Sequence, residues 1–153
     1  MAKEIERKFL VTDDTWRQLA EGSLYRQGYI ASQGATVRVR IAGNQGYLTI
    51  KGPTVNYSRS EFEYPIPLAD AQEMLDTLCV RPLIEKTRYK INLNGLVWEV
   101  DEFAGANQGL ILAEVELTDE SQQIELPNWI GEEVSGDPKY YNSYLVKHPF
   151  SEW

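Results

Sequence analysis

Cysteine and histidine are nearly missing from this sequence, and there is no surplus of positive charge. The single cysteine, Cys79, excludes an intramolecular disulfide and a cysteine-based zinc site. Its neighbours Leu75, Leu78 and Val80 mark it as a packing residue rather than a reactive one. His148, the sole histidine, is far from every motif described below and reads as a surface residue. No apolar run is long enough to cross a bilayer. Met1-Ala2-Lys3-Glu4 puts an acid where the apolar part of a secretion leader would begin. These absences predict a cytoplasmic protein with no membrane partner. The formal net charge of −8 argues against a nonspecific nucleic-acid binder, which needs a basic surface. It leaves room for a compact anion, held by a local Lys/Arg cluster whose acidic neighbours hold a bridging cation. Repeats, low-complexity stretches and linkers are also missing, so one domain spanning 1–153 is expected.

What the chain does have is period-two alternation, the mark of β-strands. It runs through residues 3–11, 23–31, 35–42, 46–51, 59–66, 83–93, 96–103 and 110–117. Turn residues separate many of these stretches, among them Gly43-Asn44-Gln45-Gly46 and Asn92-Leu93-Asn94-Gly95, the latter a hairpin signal. Helical spacing is scarce. It is clearest over 68–78, where Leu68, Ala71, Leu75 and Leu78 follow Pro67. Shorter helices are expected over 12–20 and 140–147. The fold class is therefore mainly β (α+β), with roughly eight antiparallel strands closed into a barrel and two or three flanking helices.

Side chains of a strand alternate between its two faces. Sorted that way, one face is charged and the other largely apolar. Glu4, Glu6 and Lys8 oppose Ile5 and Phe9; Arg38 and Arg40 oppose Val37, Val39 and Ile41; Lys51 opposes Ile50. Arg59, Glu61 and Glu63 oppose Phe62, while Lys86 and Arg88 share a face. Glu99 and Asp101 oppose Trp98 and Val100, and Glu114 and Glu116 oppose Ala113 and Val115. An open antiparallel sheet with a solvated charged face would explain any one pair. Recurrence on most strands favours the other solution, a closed sheet with its charged face inward. The apolar outer face would then pack on the helices or on a second subunit, which leaves a homodimer possible.

Charges of both signs confronting one another in a narrow lumen are costly unless paired or ligated. Arg and Lys there suit phosphate groups, with Arg acting as a bidentate fork and Lys as a point charge. Carboxylates do not bind phosphate, but they hold Mg²⁺ or Mn²⁺, which bridge to phosphate oxygens. The combination points to a metal–polyphosphate complex as the small-molecule ligand.

These residues resemble a known family. Glu4-Ile5-Glu6-Arg7-Lys8 matches the ExExK signature of the CYTH, or triphosphate tunnel metalloenzyme, superfamily. The likeness continues in family order through Arg38-Val39-Arg40, Thr49-Ile50-Lys51, Glu61-Phe62-Glu63, Glu85-Lys86-Thr87-Arg88-Tyr89, Asp101-Glu102-Phe103 and Glu114-Val115-Glu116. Within the superfamily the chain looks most like the short bacterial tripolyphosphatases. The resemblance implies an eight-stranded antiparallel β-tunnel in which Lys8, Arg38, Arg40, Lys51, Arg59 and Arg88 hold phosphates. It also implies that Glu4, Glu6, Glu114 and Glu116 hold Mg²⁺ or Mn²⁺, while Glu61, Glu63 and Asp101 support a second metal or orient the basic residues. Lys86 is the candidate for positioning or deprotonating the attacking water, a role that requires a depressed pKa; the alternative is that it only binds phosphate. Lys139, in Asp137-Pro138-Lys139-Tyr140-Tyr141, matches a family lysine before the C-terminal helix, or else is a plain surface lysine. That helix is expected to plug or flank a tunnel mouth. Tyr29 and Tyr89 read as packing residues, although an aromatic at a mouth could restrict bulky substrates. Trp16, Trp98, Trp129 and Trp153 read as packing residues too.

The leading expectation is hydrolysis of tripolyphosphate to pyrophosphate and phosphate, since no base-recognition element is evident. A class IV-type adenylate cyclase or a thiamine triphosphatase would use the same scaffold. A non-catalytic polyphosphate-binding module would need the cations but would gain nothing from the clustered acids.

Overall fold

The computed structural model describes residues 3–153. Met1 and Ala2, on which the reading of the N-terminus partly rests, lie outside them. Among the described residues the chain forms nine strands and two α-helices. In order these are β1 (Lys3–Val11), β2 (Gly22–Ile30), β3 (Thr36–Ala42), β4 (Gln45–Lys51), β5 (Ser58–Ile66), α1 (Leu68–Thr77), β6 (Ile84–Leu93), β7 (Leu96–Phe103), β8 (Ile111–Glu116), β9 (Ile130–Glu133) and α2 (Asn142–Lys147). No helix among them is long and apolar enough to cross a membrane.

Eight of the strands close on themselves. The order β5-β4-β3-β2-β6-β7-β8-β1 is completed by a β5–β1 pairing, and every pairing is antiparallel. The closing seam is short, with Lys3, Glu4 and Ile5 facing Ser60, Arg59 and Ser58, and Glu6 N donating to Tyr57 O (3.1 Å). Farther along β1, β9 takes over the same edge, pairing Phe9 with Glu133 and Val11 with Ile130. Sequence alternation did not reveal this ninth strand, because four residues are too few to establish a period.

The apolar faces point outward and are covered by the chain itself. Phe9, Trp98, Val100, Ala113 and Val115 pack with Trp16 from a 3-10 turn (Thr15–Gln18) and with Trp129, forming the largest core cluster. The expected helix over 12–20 is therefore only this one turn. Asp13 Oδ1 accepts from Thr15 N (3.0 Å) and Thr15 Oγ1 (2.7 Å), and Trp16 Nε1 donates to Asp13 O (2.8 Å). Such local side-chain bonds compete with helix propagation.

On the opposite side, Ala71 and Leu75 of α1 pack on Val39, with Ile41, Leu48 and Ile66 around them. A Cβ at Gly46 would lie 2.8 Å from the Ala71 Cβ, so glycine is what lets the helix sit this close. A strip of β4 and β5 bearing Ile50, Phe62 and Tyr64 stays exposed outside, as does Leu24 of β2.

The inner face changes character along the barrel axis. Inward positions on β1 run Glu4, Glu6, Lys8 and then Leu10. Leu10, Ile84, Phe103 and Leu112 meet Leu145 and Val146 of α2 in an apolar cluster. The C-terminal helix thus stoppers this sector of the lumen, and Lys8 Nζ, donating to Tyr140 O (3.1 Å), ties the 3-10 turn just before it (Pro138–Tyr140) to β1.

Candidate active site

Alternation on eight strands delivers the charged side chains to a common interior, a cavity of about 580 Å³. Lys8, Arg38, Arg40, Lys51, Arg59 and Arg88 all line it. Arg40 and Arg88 each stack over the Tyr25 ring, 5.0 Å from its centroid. Arg40 Nε donates to Gln27 Oε1 (2.8 Å). Burial, reinforced by Arg38 and Arg88, lowers the Arg40 pKa to about 10. Arg38 Nη2 makes long contacts to Thr49 Oγ1 (3.3 Å) and Glu63 Oε2 (3.4 Å), while its Nε is buried with no partner. A buried guanidinium nitrogen without an acceptor, beside a second guanidinium, favours occupation by an anion.

The carboxylates divide into two groups. Glu4 accepts from Lys51 Nζ (2.7 Å) and Arg59 Nε (3.0 Å); burial raises its pKa, but these cations prevail and hold it low. Glu61 lies 3.4 Å from Lys51 Nζ, and Glu63 accepts from Thr49 Oγ1 (2.8 Å). Glu6, Glu114 and Glu116 form the second group. Burial, together with Glu114 and Glu4, pushes Glu6 well above the usual carboxylate range. Glu116 is raised by burial and by Glu4, Glu61 and Glu99. Burial would raise Glu114 as well, yet Lys8 and Arg88 hold it well below, with a hydrogen bond from Glu6 assisting. Among the described residues, no three acidic, histidine or cysteine side chains converge tightly enough to ring a metal. The chemistry of Glu6, Glu114 and Glu116 nonetheless fits a divalent cation that also takes oxygens from its ligand. They are adjacent hard-oxygen donors, and burial together with neighbouring carboxylates raises the pKa of Glu6 and Glu116, a burden that a bound cation would relieve.

Lys86 and Asp101 lie behind this lining. Lys86 Nζ donates to Asp101 Oδ2 (2.7 Å), and Arg88 clamps both oxygens of the same carboxylate, Nε to Oδ1 (2.7 Å) and Nη2 to Oδ2 (2.8 Å). The Lys86 side chain is 0% exposed. Burial, then Arg88 and Arg40 against the opposing pull of Asp101, lowers its pKa to about 7. Burial works against ionisation of Asp101 too, but Arg88 and Lys86 keep it low. Of the two roles the sequence left for Asp101, the contacts match the orienting one.

Lys139 is not brought to the lumen. Its ammonium lies 4.1 Å from the Trp153 ring centroid on the outside. Conversely, Ser135, Tyr141, Asn142 and Ser143 line the cavity, as do Tyr25 and Tyr29. Gln27 and Tyr25 are neutral, so sorting strands by charge passed over them; their inward parity, shared with Tyr29, was the available signal. Ser135 is placed by a chain of bonds: Arg7 forks onto Glu133 (2.9 and 2.6 Å), Ser135 Oγ donates to Glu133 Oε2 (2.6 Å), and Lys8 N donates to Ser135 Oγ (2.9 Å).

Comparison with known proteins agrees with this geometry. The profile of the CYTH domain family matches residues 2–141. An inorganic triphosphatase of Acetivibrio thermocellus is 53% identical over 154 aligned residues, covering 100% of this chain and 99% of that protein. Another, of Nitrosomonas europaea, is 36% identical, covering 94% and 96%. A crystal structure of the inorganic triphosphatase NE1496 superposes with a TM-score of 0.65 at 34% identity, covering 95% of each chain. The chain belongs to the CYTH domain family.

Proposed function

We propose that this chain hydrolyses inorganic tripolyphosphate to pyrophosphate and phosphate, by attack of water inside the tunnel. The observation that carries the reading is the Arg38–Arg40–Arg88 cluster, in which Arg38 Nε is buried without a partner and Arg40 bonds to the neutral Gln27, on the same cavity as the acids Glu6 and Glu116. The names of the similar proteins support it. Arg38, Arg40, Arg88, Lys51, Arg59 and Lys8 bind phosphate oxygens and stabilise the negative charge that shifts onto them during transfer.

Glu6, Glu114 and Glu116 are proposed to hold Mg²⁺ or Mn²⁺. When bound, the cation neutralises phosphate charge and polarises the transferred group. Glu4, Glu61 and Glu63, paired to Lys51, Arg59 and Arg38, set the positions of those cations; Asp101 does the same for Arg88. Lys86 is proposed as the base: its depressed pKa supplies a neutral amine near neutral pH, directly behind Arg88. In the competing role it only supports Arg88 through Asp101. Lys139 takes part only if it leaves Trp153. A cytoplasmic setting accords with the low cysteine content.

The test is metal-dependent phosphate release from tripolyphosphate, run beside ATP and thiamine triphosphate.

A further inference from the structure

Arg40 differs from the other cations proposed to hold phosphate. Lys8, Arg38, Lys51, Arg59 and Arg88 each lie within ion-pair distance of a carboxylate: Glu114, Glu63, Glu4, Glu4 and Asp101 respectively. Arg40 has no such acid among the described residues. Its hydrogen-bond partner is the neutral Gln27, directly opposite it in the β2–β3 register and fully buried. The cost shows in its pKa, which burial, then Arg38 and Arg88, lower to about 10. The exception extends to the whole strand. β2 lies between β3 and β6, which bring Arg38, Arg40 and Arg88, and each of the other barrel strands puts a charged side chain into the cavity. β2 contributes only Ser23, Tyr25 and Tyr29 to the lining, with Gln27 sharing their parity.

We propose that Gln27 is a positioning residue that aims Arg40 at phosphate without neutralising it, and that it turns the Tyr29 hydroxyl proton toward the same ligand. This rests on the proposed activity and adds two neutral side chains to it. A guanidinium has only donors, so the Gln27 atom facing Arg40 Nε is the oxygen, and the amide nitrogen is left to donate to the Tyr29 hydroxyl (3.1 Å). The Tyr29 oxygen accepts in that bond, and its own proton has no acceptor among the described residues. Tyr29 lines the cavity, so a phosphate oxygen held there receives that proton. A glutamate in place of Gln27 would fill the same space and bond Arg40 more strongly, because the bond would be charge-assisted on both sides. It would also cancel the charge that attracts a polyanion, and its second oxygen would draw the Tyr29 proton out of the cavity. Neutrality at position 27, more than shape, is therefore the requirement.

The experiment compares Gln27→Glu, Gln27→Met and Tyr29→Phe with the parent protein. It measures KM and kcat for tripolyphosphate with Mg²⁺, and the calorimetric Kd for imidotriphosphate, whose P–N–P bridges resist hydrolysis. Gln27→Glu should raise KM and Kd about 10- to 100-fold, the range for a charged hydrogen bond lost to the ligand. Its Tm should stay level or rise, because Arg40 gains a counter-charge. Gln27→Met, which removes the acceptor but leaves the guanidinium unpaired, should raise them less. Tyr29→Phe should raise them about 3- to 10-fold at unchanged Tm. A merely structural role predicts the reverse order at position 27, since glutamate keeps the shape and the acceptor while methionine keeps only the bulk. That reverse order overturns the inference, as does an unchanged KM in Gln27→Glu. Should Gln27→Glu fail to fold, an unchanged KM in Tyr29→Phe overturns it instead. No turnover by the parent, with the expected order of Kd intact, would sink the hydrolytic reading alone, so the two failures are separable.

Discussion

Lys86 and Asp101 form a buried ion pair 2.7 Å long, and Arg88 holds the same carboxylate through both of its oxygens. One acid thus serves two cations with almost no solvent nearby. Removing it strands the buried Arg88 guanidinium and leaves Lys86 without its acceptor. Asp101→Asn should therefore destabilise the fold by about 3–5 kcal/mol, the range for breaking a buried pair. Thermal unfolding should register this as a fall of roughly 10 °C. A fall of only one or two degrees would mean that Arg88 does not depend on this carboxylate and finds other partners.

Lys86→Ala should largely abolish turnover while tripolyphosphate binding stays measurable by calorimetry. Near-normal activity would remove Lys86 from the chemistry. The pH dependence supplies a second check. Lys86 titrates near 7 in the folded protein and near 10.4 when unfolded, so the unfolded chain binds more protons between those values. Its contribution to stability accordingly rises with pH across that window, by at most about 1.4 kcal/mol per pH unit. Relative to Lys86→Met, the parent protein should gain stability from pH 7 to pH 10, and its kcat/KM should climb through about pH 7. A flat difference between the two proteins would contradict the depressed pKa.

Much of this was legible because a closed barrel preserves parity. Glu4, Glu6, Lys8, Arg38, Arg40 and Arg88 reach the lumen simply by alternating with apolar residues, and charge makes that alternation visible. Gln27 escapes the same logic because it is neutral, although it is fully buried and holds Arg40. Depth along the axis is also invisible to parity: Lys86 and Arg88 share a face, yet Lys86 lies behind the lining and Arg88 in it. Ser135, Tyr141 and Asn142 come from irregular backbone, where no period exists to read. Lys139 was placed by motif alone, and tertiary packing turned it onto Trp153.

Glu6→Gln should act in opposite directions on stability and on metal dependence. Glu6 is held well above the usual range by burial and by Glu114, so at neutral pH its ionisation is a burden on the metal-free fold. An uncharged amide relieves that burden, and Tm in chelator should stay level or rise. The Mg²⁺ or Mn²⁺ concentration giving half-maximal activity should meanwhile increase on the order of tenfold or more. An unchanged metal titration would take Glu6 out of the metal site.

Leu145 fills the apolar end of the lumen against Ile84, Phe103 and Leu112. Leu145→Ala should cost about 2–5 kcal/mol, as for other fully buried leucines. Because the turn leading into the helix is tied to Lys8 through Tyr140 O, the same variant should also raise KM for tripolyphosphate. Full stability in Leu145→Ala, measured by denaturant unfolding, would show that the stopper is dispensable.

The most direct measurement is phosphate release from tripolyphosphate, ATP and thiamine triphosphate in parallel, each with Mg²⁺, with Mn²⁺ and with chelator. A tunnel built around a bare triphosphate–metal complex predicts fast release from tripolyphosphate that chelator abolishes, with the other two substrates turned over far more slowly. Pyrophosphate and cyclic AMP appearing from ATP, or no product from any of the three, would contradict it.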